Sequence, residues 1–418
     1  MKPRQSSLFL FALSFLAFSA LNAQPSLIYL SLQSKTRPDA TSPVTVTWCS
    51  DNTDGIQYVK YGVKTDPGKK MKAFKNEING KVVFNADLKK LKPGARYFYR
   101  CGSDEAGWSK TYSFFSEPDT GAFRVGIIGD TQNNANNEGF NKTKIITDLV
   151  KAYDPCLTLH MGDIVDNGSP TENWTSFLSV TQDLNTISPL MPVLGNHDIQ
   201  NIKGEDFQKP FQDYHSLFNL PGDEVNYSFT YGKVRFIGIF SGCAQAAEET
   251  DQVKYKPGSP EYIWLDNELA NAEKDRNLDW VIVWMHYPVS SFGWSNIAGW
   301  KENVLPLLEK YRVDLCLSGH RHVYERHFQM KDGVPVKKES SPVFSANDGT
   351  IYITNGTAGG NPTGSGGKNL PDMAFTPDKS MYNFAIMDVS NESIIYRVFD
   401  QDDTLIDRFV IVKGTDKK

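Results

Sequence analysis

The stretch FRVGIIGD, residues 123–130, divides the chain into two parts. Its apolar residues suit a buried strand, and the run stops at a glycine and an aspartate. Before it, short alternating or aromatic runs are separated by turn residues. After it, apolar runs alternate with stretches of helical periodicity. With 418 residues and 46.9 kDa, the chain is also longer than one hydrophobic core usually grows. The sequence therefore predicts two domains.

Residues 24–118 predict an all-β domain. Runs such as VTVTW (44–48), KVVFNADL (81–88) and ARYFYRC (95–101) are divided by turn pairs such as Pro93-Gly94. About seven short strands in this length are typical of a fibronectin type III or immunoglobulin-like β-sandwich. Residues 119–418 predict an α/β domain, because apolar strands there alternate with helical stretches near 141–153, 171–184, 263–275 and 302–311.

The N-terminus resembles a secretory signal. Lys2 and Arg4 precede an apolar run, residues 8–18, and small residues follow up to Ala23. This order predicts a signal peptide over residues 1–23, cleaved after Ala23, and a secreted or periplasmic protein. The apolar run is short for a membrane span, so no span is expected.

The net charge bears on nucleic-acid binding, and the positions of the cysteines bear on disulfide bonding. The net charge of −5 argues against nucleic acid, and nothing in the sequence fixes an oligomeric state. Cys49 is out of phase with the alternating apolar residues of its strand, whereas Cys101 is in phase with those of its own strand. This difference argues against a disulfide between them. Cys156 and Cys316 lie in apolar runs and are expected to be buried free thiols.

Five predicted strands of the second domain end in possible metal ligands. Any one of these motifs alone is more often a turn or a hydrogen-bonded core residue. Together they supply carboxylate, amide and imidazole donors at one edge of a sheet, a set suited to two divalent ions that share a carboxylate. The motifs are GDTQ (129–132), GDIVDN (162–167), GNHD (195–198), MHYP (285–288) and GHRH (319–322).

The ordered set GD, GDxxD, GNHD, MH and GHxH resembles the calcineurin-like metallophosphoesterase superfamily. GHRHVYER, together with LKPGARYFYRCGS in the β domain, is similar to the purple acid phosphatase branch. The resemblance covers nearly all of the predicted mature chain. It implies a catalytic domain of two mixed β-sheets flanked by helices, acting on small-molecule phosphate monoesters as an acid phosphatase does. A phosphodiesterase or nucleotide hydrolase is the alternative, and a non-catalytic secreted binding protein is a third reading.

The resemblance also implies roles for individual residues. Asp130 and His322 would hold one metal ion, Asp163 would bridge both, and the second ion would be held by Asn196, His286 and His320. The ions would be Fe, Zn or Mn, and a hydroxide that they activate would attack phosphorus. His197 would act as general acid, with Asp198 either orienting its ring or remaining a plain surface carboxylate.

Departures from the branch affect these expectations. Purple acid phosphatases carry an iron-binding tyrosine where this chain has Asp166, so no purple ferric site is expected. Gln132 either ligates the first metal through its amide oxygen or faces the substrate. The phosphate-binding histidines of plant-type relatives are absent after His286, where Tyr287, Trp294 and Trp300 either stack on a substrate or pack in the core.

Three residues in or beside the motifs have a structural role or two alternative roles. His160, inside an apolar strand, is expected to be a hydrogen-bonded core residue. Arg321 and Tyr324 flank the histidine pair and either contact phosphate or serve the structure.

Overall fold

The computed structural model describes residues 24–35, 40–50, 55–78, 81–119, 121–199, 209–242, 255–291, 299–336, 338, 342–363 and 370–414. The predicted signal peptide, Cys243 and Trp294 lie outside these ranges. Within them, no helix is long and apolar enough to span a bilayer.

The N-terminal domain is a sandwich of two antiparallel sheets. One has the strand order β1-β2-β6-β5 and the other the order β4-β3-β7-β8, with β9 also paired to β7. Alternate residues such as Val59, Tyr97 and Tyr99 point inward and are buried. The strands are β1 (Ser26–Leu32), β2 (Val44–Ser50), β3 (Tyr58–Gly62), β4 (Lys69–Lys72), β5 (Phe74–Ile78), β6 (Lys81–Leu88), β7 (Arg96–Ser103), β8 (Gly107–Trp108) and β9 (Tyr112–Phe115).

The sandwich prediction is confirmed, but the described residues form nine strands rather than about seven. The extra ones are short or polar. β4 reads KKMK and β5 reads FKNEI, and neither shows the apolar alternation that predicts a strand. Their strand geometry comes from hydrogen bonding to β3 and β6.

The second domain contains two mixed seven-stranded sheets, as the resemblance implied. The first has the order β12-β11-β10-β23-β24-β25-β20 and the second the order β13-β14-β15-β16-β21-β17-β22. The strands are β10 (Phe123–Ile128), β11 (Leu157–His160), β12 (Leu190–Pro192), β13 (Tyr227–Tyr231), β14 (Val234–Ile239), β15 (Trp280–Met285), β16 (Leu315–Ser318), β17 (Tyr324–His327), β18 (Met330–Lys331), β19 (Val334–Pro335), β20 (Val343–Ser345), β21 (Ile351–Asn355), β22 (Met373–Phe375), β23 (Asn383–Val389), β24 (Ser393–Asp400) and β25 (Leu405–Val412).

Five helices accompany these sheets in the described part of the chain. α1 and α2 join the parallel strands β10, β11 and β12, and α4 and α5 pack with the second sheet. The sequence did not predict α3, which has no apolar run before it. The helices are α1 (Asn141–Ala152), α2 (Thr171–Asn185), α3 (Lys209–Leu217), α4 (Pro260–Lys274) and α5 (Trp300–Lys310).

The two sheets share one core, in which Leu159 of the first sheet and Trp284 and Leu317 of the second belong to the same cluster. β10, β11 and β12 run parallel in one sheet, and β14, β15, β16 and β21 run parallel in the other. Loops that follow parallel strands emerge at one edge of each sheet. All five predicted ligand motifs lie in such loops.

The N-terminal sandwich packs directly on the second domain. The backbone N–H of Ile28 donates to Gln182 Oε1 on α2 at 2.8 Å, and the Tyr99 hydroxyl donates to the Thr186 carbonyl at 2.9 Å. Apolar residues of both domains belong to the same buried cluster. Cys49, Cys101, Cys156 and Cys316 form no disulfide, as expected, but Cys156 is only partly buried, whereas burial was predicted.

Candidate metal centre

The backbone of the strand-end loops is bent so that ligand side chains point at one another. Asp130, Asp163 and His320 have positive φ angles of 54°, 52° and 66°, a conformation that costs free energy for residues with a side chain. Asp130 N donates to Gly162 O at 2.9 Å and Thr131 N to Asp163 O at 2.8 Å, which binds the first two loops together. Such strained backbone is typical of functional sites.

Glycines let these loops approach closely. A Cβ atom on Gly195 would lie 2.2 Å from Asp163 Oδ1, and one on Gly319 would lie 2.5 Å from Asp130 Oδ2. Any larger residue at either position would collide with a predicted ligand.

Two groups of donors meet the spacing needed for a metal ion. The first donor group is Asp130, Asp163 and His322, and the second donor group is Asp163, His286 and His320. Within each group one ligand atom from every residue lies within 4.8 Å of the others. Asp163 belongs to both, which is the arrangement expected of a bridging carboxylate.

The second donor group also includes the predicted ligand Asn196. Its Oδ1 lies 2.9 Å from His320 Nδ1 and 3.1 Å from His286 Nε2, which in turn lies 3.2 Å from Asp163 Oδ2. The other ring nitrogen of His286, Nδ1, donates to the Met161 carbonyl at 2.8 Å. This bond leaves the Nε2 lone pair directed at the site, as a metal ligand requires.

The first donor group carries the unsatisfied oxygens. Asp130 Oδ1 accepts the His320 backbone N–H at 2.8 Å, whereas Asp130 Oδ2 is buried without a hydrogen-bond partner. His322 Nδ1 donates to the Asn361 carbonyl at 2.6 Å, and its Nε2 lies 3.4 Å from Asp130 Oδ1. A buried carboxylate oxygen without a partner is costly unless a cation binds it.

Gln132 lies against this first donor group. Its Nε2 is 2.8 Å from Asp163 Oδ2 and 3.3 Å from His322 Nε2, and its Oε1 is buried without a partner. The two amide atoms exchange places when the amide is turned over. The turned amide would direct an oxygen at the ligand atoms, so the donor chemistry of the first donor group fits a divalent cation.

The protonation behaviour of the second donor group reflects the charge of Asp163. Burial opposes charge on His286, but the Asp163 carboxylate outweighs it and raises the pKa of His286 to about 9. For Asp163 itself, burial favours the neutral form, and the His286 charge overcomes this and holds its pKa below the usual range. Burial and the His286 charge together lower the pKa of His320. The buried Asp163 carboxylate thus favours a positive charge beside it, which a metal ion would provide.

The orientation of His197 corrects one expectation. Nδ1 of His197 donates to the Asp166 carbonyl at 3.0 Å and lies 3.4 Å from Asp166 Oδ1. Asp198 instead accepts the backbone N–H groups of Ile164, Val165 and Gly195. Asp198 is therefore neither a plain surface carboxylate nor the partner of the His197 ring. It fixes the loop after Asp163, and Asp166 contacts the imidazole.

The remaining expectations are resolved by burial and bonding. His160 is buried, with Nε2 at 2.9 Å from Thr131 Oγ1, as expected of a core residue. Trp300 is buried against Tyr255, and Tyr287 is buried edge-on to the His320 ring at 4.5 Å, so both serve packing. Tyr324 donates to Asp407 at 2.8 Å in the interior.

Comparison with known families agrees with this architecture. Residues 123–324 match the model of the calcineurin-like phosphoesterases, and residues 25–116 match the N-terminal domain of purple acid phosphatases. The fold and the strand-end site define a calcineurin-like metallophosphoesterase domain, a family that uses a dinuclear metal centre. The chain therefore contains a calcineurin-like phosphoesterase domain preceded by a domain of the type found at the N-terminus of purple acid phosphatases.

Individual relatives are distant. An uncharacterized protein of Mycobacterium tuberculosis is 26% identical over 372 residues, covering 77% of this chain and 68% of the relative. A probable purple acid phosphatase of Arabidopsis thaliana is 28% identical over 247 residues, 56% of this chain and 53% of that protein. A probable inactive purple acid phosphatase of the same plant is 25% identical, over 76% of this chain and 58% of its own length.

One solved structure shares this fold over most of its length. The purple acid phosphatase from yellow lupin seeds superposes with a TM-score of 0.78 at 21% identity, covering 94% of this chain and 75% of the lupin chain. At this identity the likeness concerns the fold.

Proposed function

We propose that the protein is an exported dinuclear-metal phosphohydrolase that hydrolyses small-molecule phosphate monoesters. The observation that supports this most directly is the membership of Asp163 in both donor groups. Two ions held by a common carboxylate are suited to clamping the attacking and leaving oxygens of an in-line displacement at phosphorus. Export rests on the signal-like residues 1–23.

The residues proposed to hold the ions are Asp130, Asp163, Asn196, His286, His320 and His322, with Gln132 as a further amide donor. When bound, such ions lower the pKa of a water molecule and polarise phosphate oxygens. The donor set combines oxygen and imidazole ligands, which Fe, Zn and Mn all accept.

His197 is proposed to donate a proton to the leaving oxygen. Its backbone N–H is 2.9 Å from Asp163 Oδ1, so the ring emerges beside the proposed bridging carboxylate. The bond from Nδ1 to the Asp166 carbonyl leaves Nε2 for the substrate. The carboxylate of Asp166 favours the protonated imidazole, and the pKa of His197 is raised to about 10 because these contacts outweigh burial.

Hydrolysis of phosphodiesters or nucleotides on the same residues is the second candidate. The superfamily resemblance supports it equally, since the ligand motifs are common to both activities. A non-catalytic role is the third, and the relatives named as probable inactive phosphatases make it worth testing. The complete set of donors argues against it.

The test is hydrolysis after reconstitution with Mn, Zn or Fe(II), using p-nitrophenyl phosphate and bis-p-nitrophenyl phosphate side by side. Metal content is measured on the same samples. Faster turnover of the monoester supports the proposal, and faster turnover of the diester favours the second candidate. Absence of bound metal and of hydrolysis with every ion would establish the non-catalytic reading.

A further inference from the structure

Charge is distributed unevenly between the two domains. Residues 24–118 contain 15 lysines and arginines but 9 aspartates and glutamates, whereas residues 119–418 contain 27 and 40. The net charge of −5 therefore conceals a basic N-terminal domain. The donor groups belong to the other domain, so binding of a phosphoester there does not account for this surplus.

Much of the surplus lies on the outer face of the sheet formed by β3, β4, β7 and β8. Across this sheet Lys60 pairs with Lys70 on one side and Arg100 on the other, and Tyr58 pairs with Lys72. The alternate residues of β3 face the core, whereas β2, inside the other sheet, is buried on both sides. We call this surface the basic face: Tyr58, Lys60, Lys70, Lys72, Arg100 and Trp108.

Aromatic rings hold the lysines in place without neutralising them. Lys60 Nζ lies 4.2 Å from the centre of the Trp108 ring, and Lys70 Nζ lies 3.8 Å from that of Tyr58. Two described acids lie nearby: Asp66 is 3.6 Å from Arg100, and Asp104 accepts the Trp108 indole N–H and also interacts with the charges of Lys60, Lys70 and Arg100. Asp66 is almost fully exposed, so its ion pair is weak. The basic face keeps a positive surplus.

An exposed apolar pair adjoins the basic face at one end. Ile56 comes two residues before Tyr58, and Phe74 comes two residues after Lys72. The bond from Ala73 N to Gln57 O, 2.9 Å, joins the two segments just beyond the Tyr58–Lys72 pair, and Phe74 follows at the start of β5, where the chain passes to the other sheet. The Ile56 and Phe74 side chains are 53% and 74% exposed, and Phe74 is the most exposed large apolar residue in the described part of the chain.

We propose that the basic face and its apolar pair bind the surface of a membrane that contains anionic lipid. Lysines and arginines attract anionic headgroups, while exposed apolar side chains enter the boundary between headgroups and acyl chains. Stable attachment generally requires two such signals, and both occur here on one surface. The acidic second domain would be repelled by the same headgroups, so attachment would orient the molecule.

The geometry favours a lipid surface over a nucleic acid or an acidic polysaccharide. Bases and sugars bind through open aromatic faces, but the Tyr58 and Trp108 rings are already covered by lysines. A soluble polyanion would also leave Ile56 and Phe74 without a role. A membrane surface uses both features.

The experiment is co-sedimentation of the full chain with vesicles of phosphatidylcholine alone and vesicles that also contain phosphatidylglycerol. Binding is expected for the anionic vesicles only, and it should weaken as salt is added. The double variant Lys70→Gln/Lys72→Gln should lower partitioning about 25-fold, because each lysine near such a surface contributes about fivefold. Ile56→Ser/Phe74→Ser should lower it at least about tenfold.

The matched control is Lys89→Gln/Lys90→Gln, which removes the same charge from the same domain beyond the end of β6. It should bind as the unmodified chain does. An equal loss of vesicle binding in the control would mean that binding depends only on the net charge of the protein, which would overturn the proposal. Absence of vesicle binding would also overturn the proposal, whether or not a polyuronate or single-stranded DNA co-precipitates with the protein. Unchanged binding by the Ile56→Ser/Phe74→Ser variant would overturn it as well.

Discussion

The two donor groups share Asp163 but differ in their chemistry. In the second, Asn196, His286 and His320 are in mutual contact, and the His286 ring is fully buried and tied to the Met161 carbonyl. In the first, His322 is 15% exposed, and the remaining donors are the oxygens of Asp130 and the amide of Gln132. One half is therefore rich in imidazole, with its donors already in mutual contact, and the other is rich in oxygen.

This difference suggests two ions of unequal character. Imidazole-rich sites bind Zn and Fe(II) well, whereas oxygen-rich sites accept harder ions such as Mn or Mg. A preformed site also loses less conformational entropy on binding. We expect the second donor group to retain its ion more tightly than the first, and the variants below test this asymmetry.

Asp163→Ala should have the largest effect because it removes a ligand from both donor groups. We expect loss of metal from both and a fall in turnover of about a thousandfold or more, since bound metal supplies several kcal/mol of transition-state stabilisation. Metal analysis and initial rates measure it. The control is Asp332→Ala, an exposed position whose φ of 53° matches the 52° of Asp163. Retention of one full equivalent of metal by Asp163→Ala would contradict the bridging role.

His197→Ala should cause the second-largest loss of turnover without loss of either metal ion. Loss of a general acid typically lowers turnover by about a hundredfold or more. Both ions should remain, because the His197 contact with Asp163 is made by its backbone N–H. His215→Ala is a suitable control, since His215 is also paired with an acid, Glu224 at 2.8 Å, but lies on α3. Loss of metal from His197→Ala would disprove the assigned role.

Asp166→Asn should have a smaller effect than removal of His197. The backbone carbonyl that accepts from Nδ1 is unchanged, and only the carboxylate 3.4 Å away is neutralised. We expect kcat to fall about tenfold with KM and metal content unchanged, as for residues that position a catalytic group. Asp198→Ala is the contrast: it leaves three backbone N–H groups without an acceptor and should lower the thermal midpoint instead. An unchanged kcat in Asp166→Asn would refute the positioning role.

The position of each proposed ligand was predictable because each of them follows an apolar strand. The positions of Asp130, Asp163 and His320 depend only on where a buried run ends, and parallel strands bring such ends to one edge. The glycines that allow close approach are visible in the sequence as well. These features depend on local patterns.

The partner of His197 was not predictable from the same patterns. Asp198 is adjacent in sequence, but the positive φ of Asp163 turns its loop so that the Asp166 carbonyl meets the ring. The only sequence signal was the spacing of Asp163 and Asp166 within GDIVD. Likewise, β4 and β5 are polar edge strands whose conformation is imposed by their neighbours.

Gln132→Ala tests most directly whether the two donor groups bind their ions with separate affinities. If the Gln132 amide oxygen serves the first ion, this variant should bind one of two ions about tenfold more weakly and hold the other unchanged. The stoichiometry is followed by titration with a chelator. The control is Asn134→Ala, which removes an amide from the same loop whose oxygen accepts the Asn136 backbone N–H. Two unchanged affinities would mean that Gln132 faces the substrate.

The smallest expected signal is the absence of colour. Asp166 replaces the tyrosine whose phenolate gives purple acid phosphatases their charge-transfer band, and its side chain faces His197 rather than the first donor group. Iron-loaded protein should therefore show no intense visible band, even after oxidation. Asp166→Tyr makes the comparison sharper, because a phenolate at this position would colour the site if the loop brings it to the first ion. An intense band in the unmodified protein would show that another phenolate reaches the iron, and the oxygen-rich description of the first donor group would then be wrong.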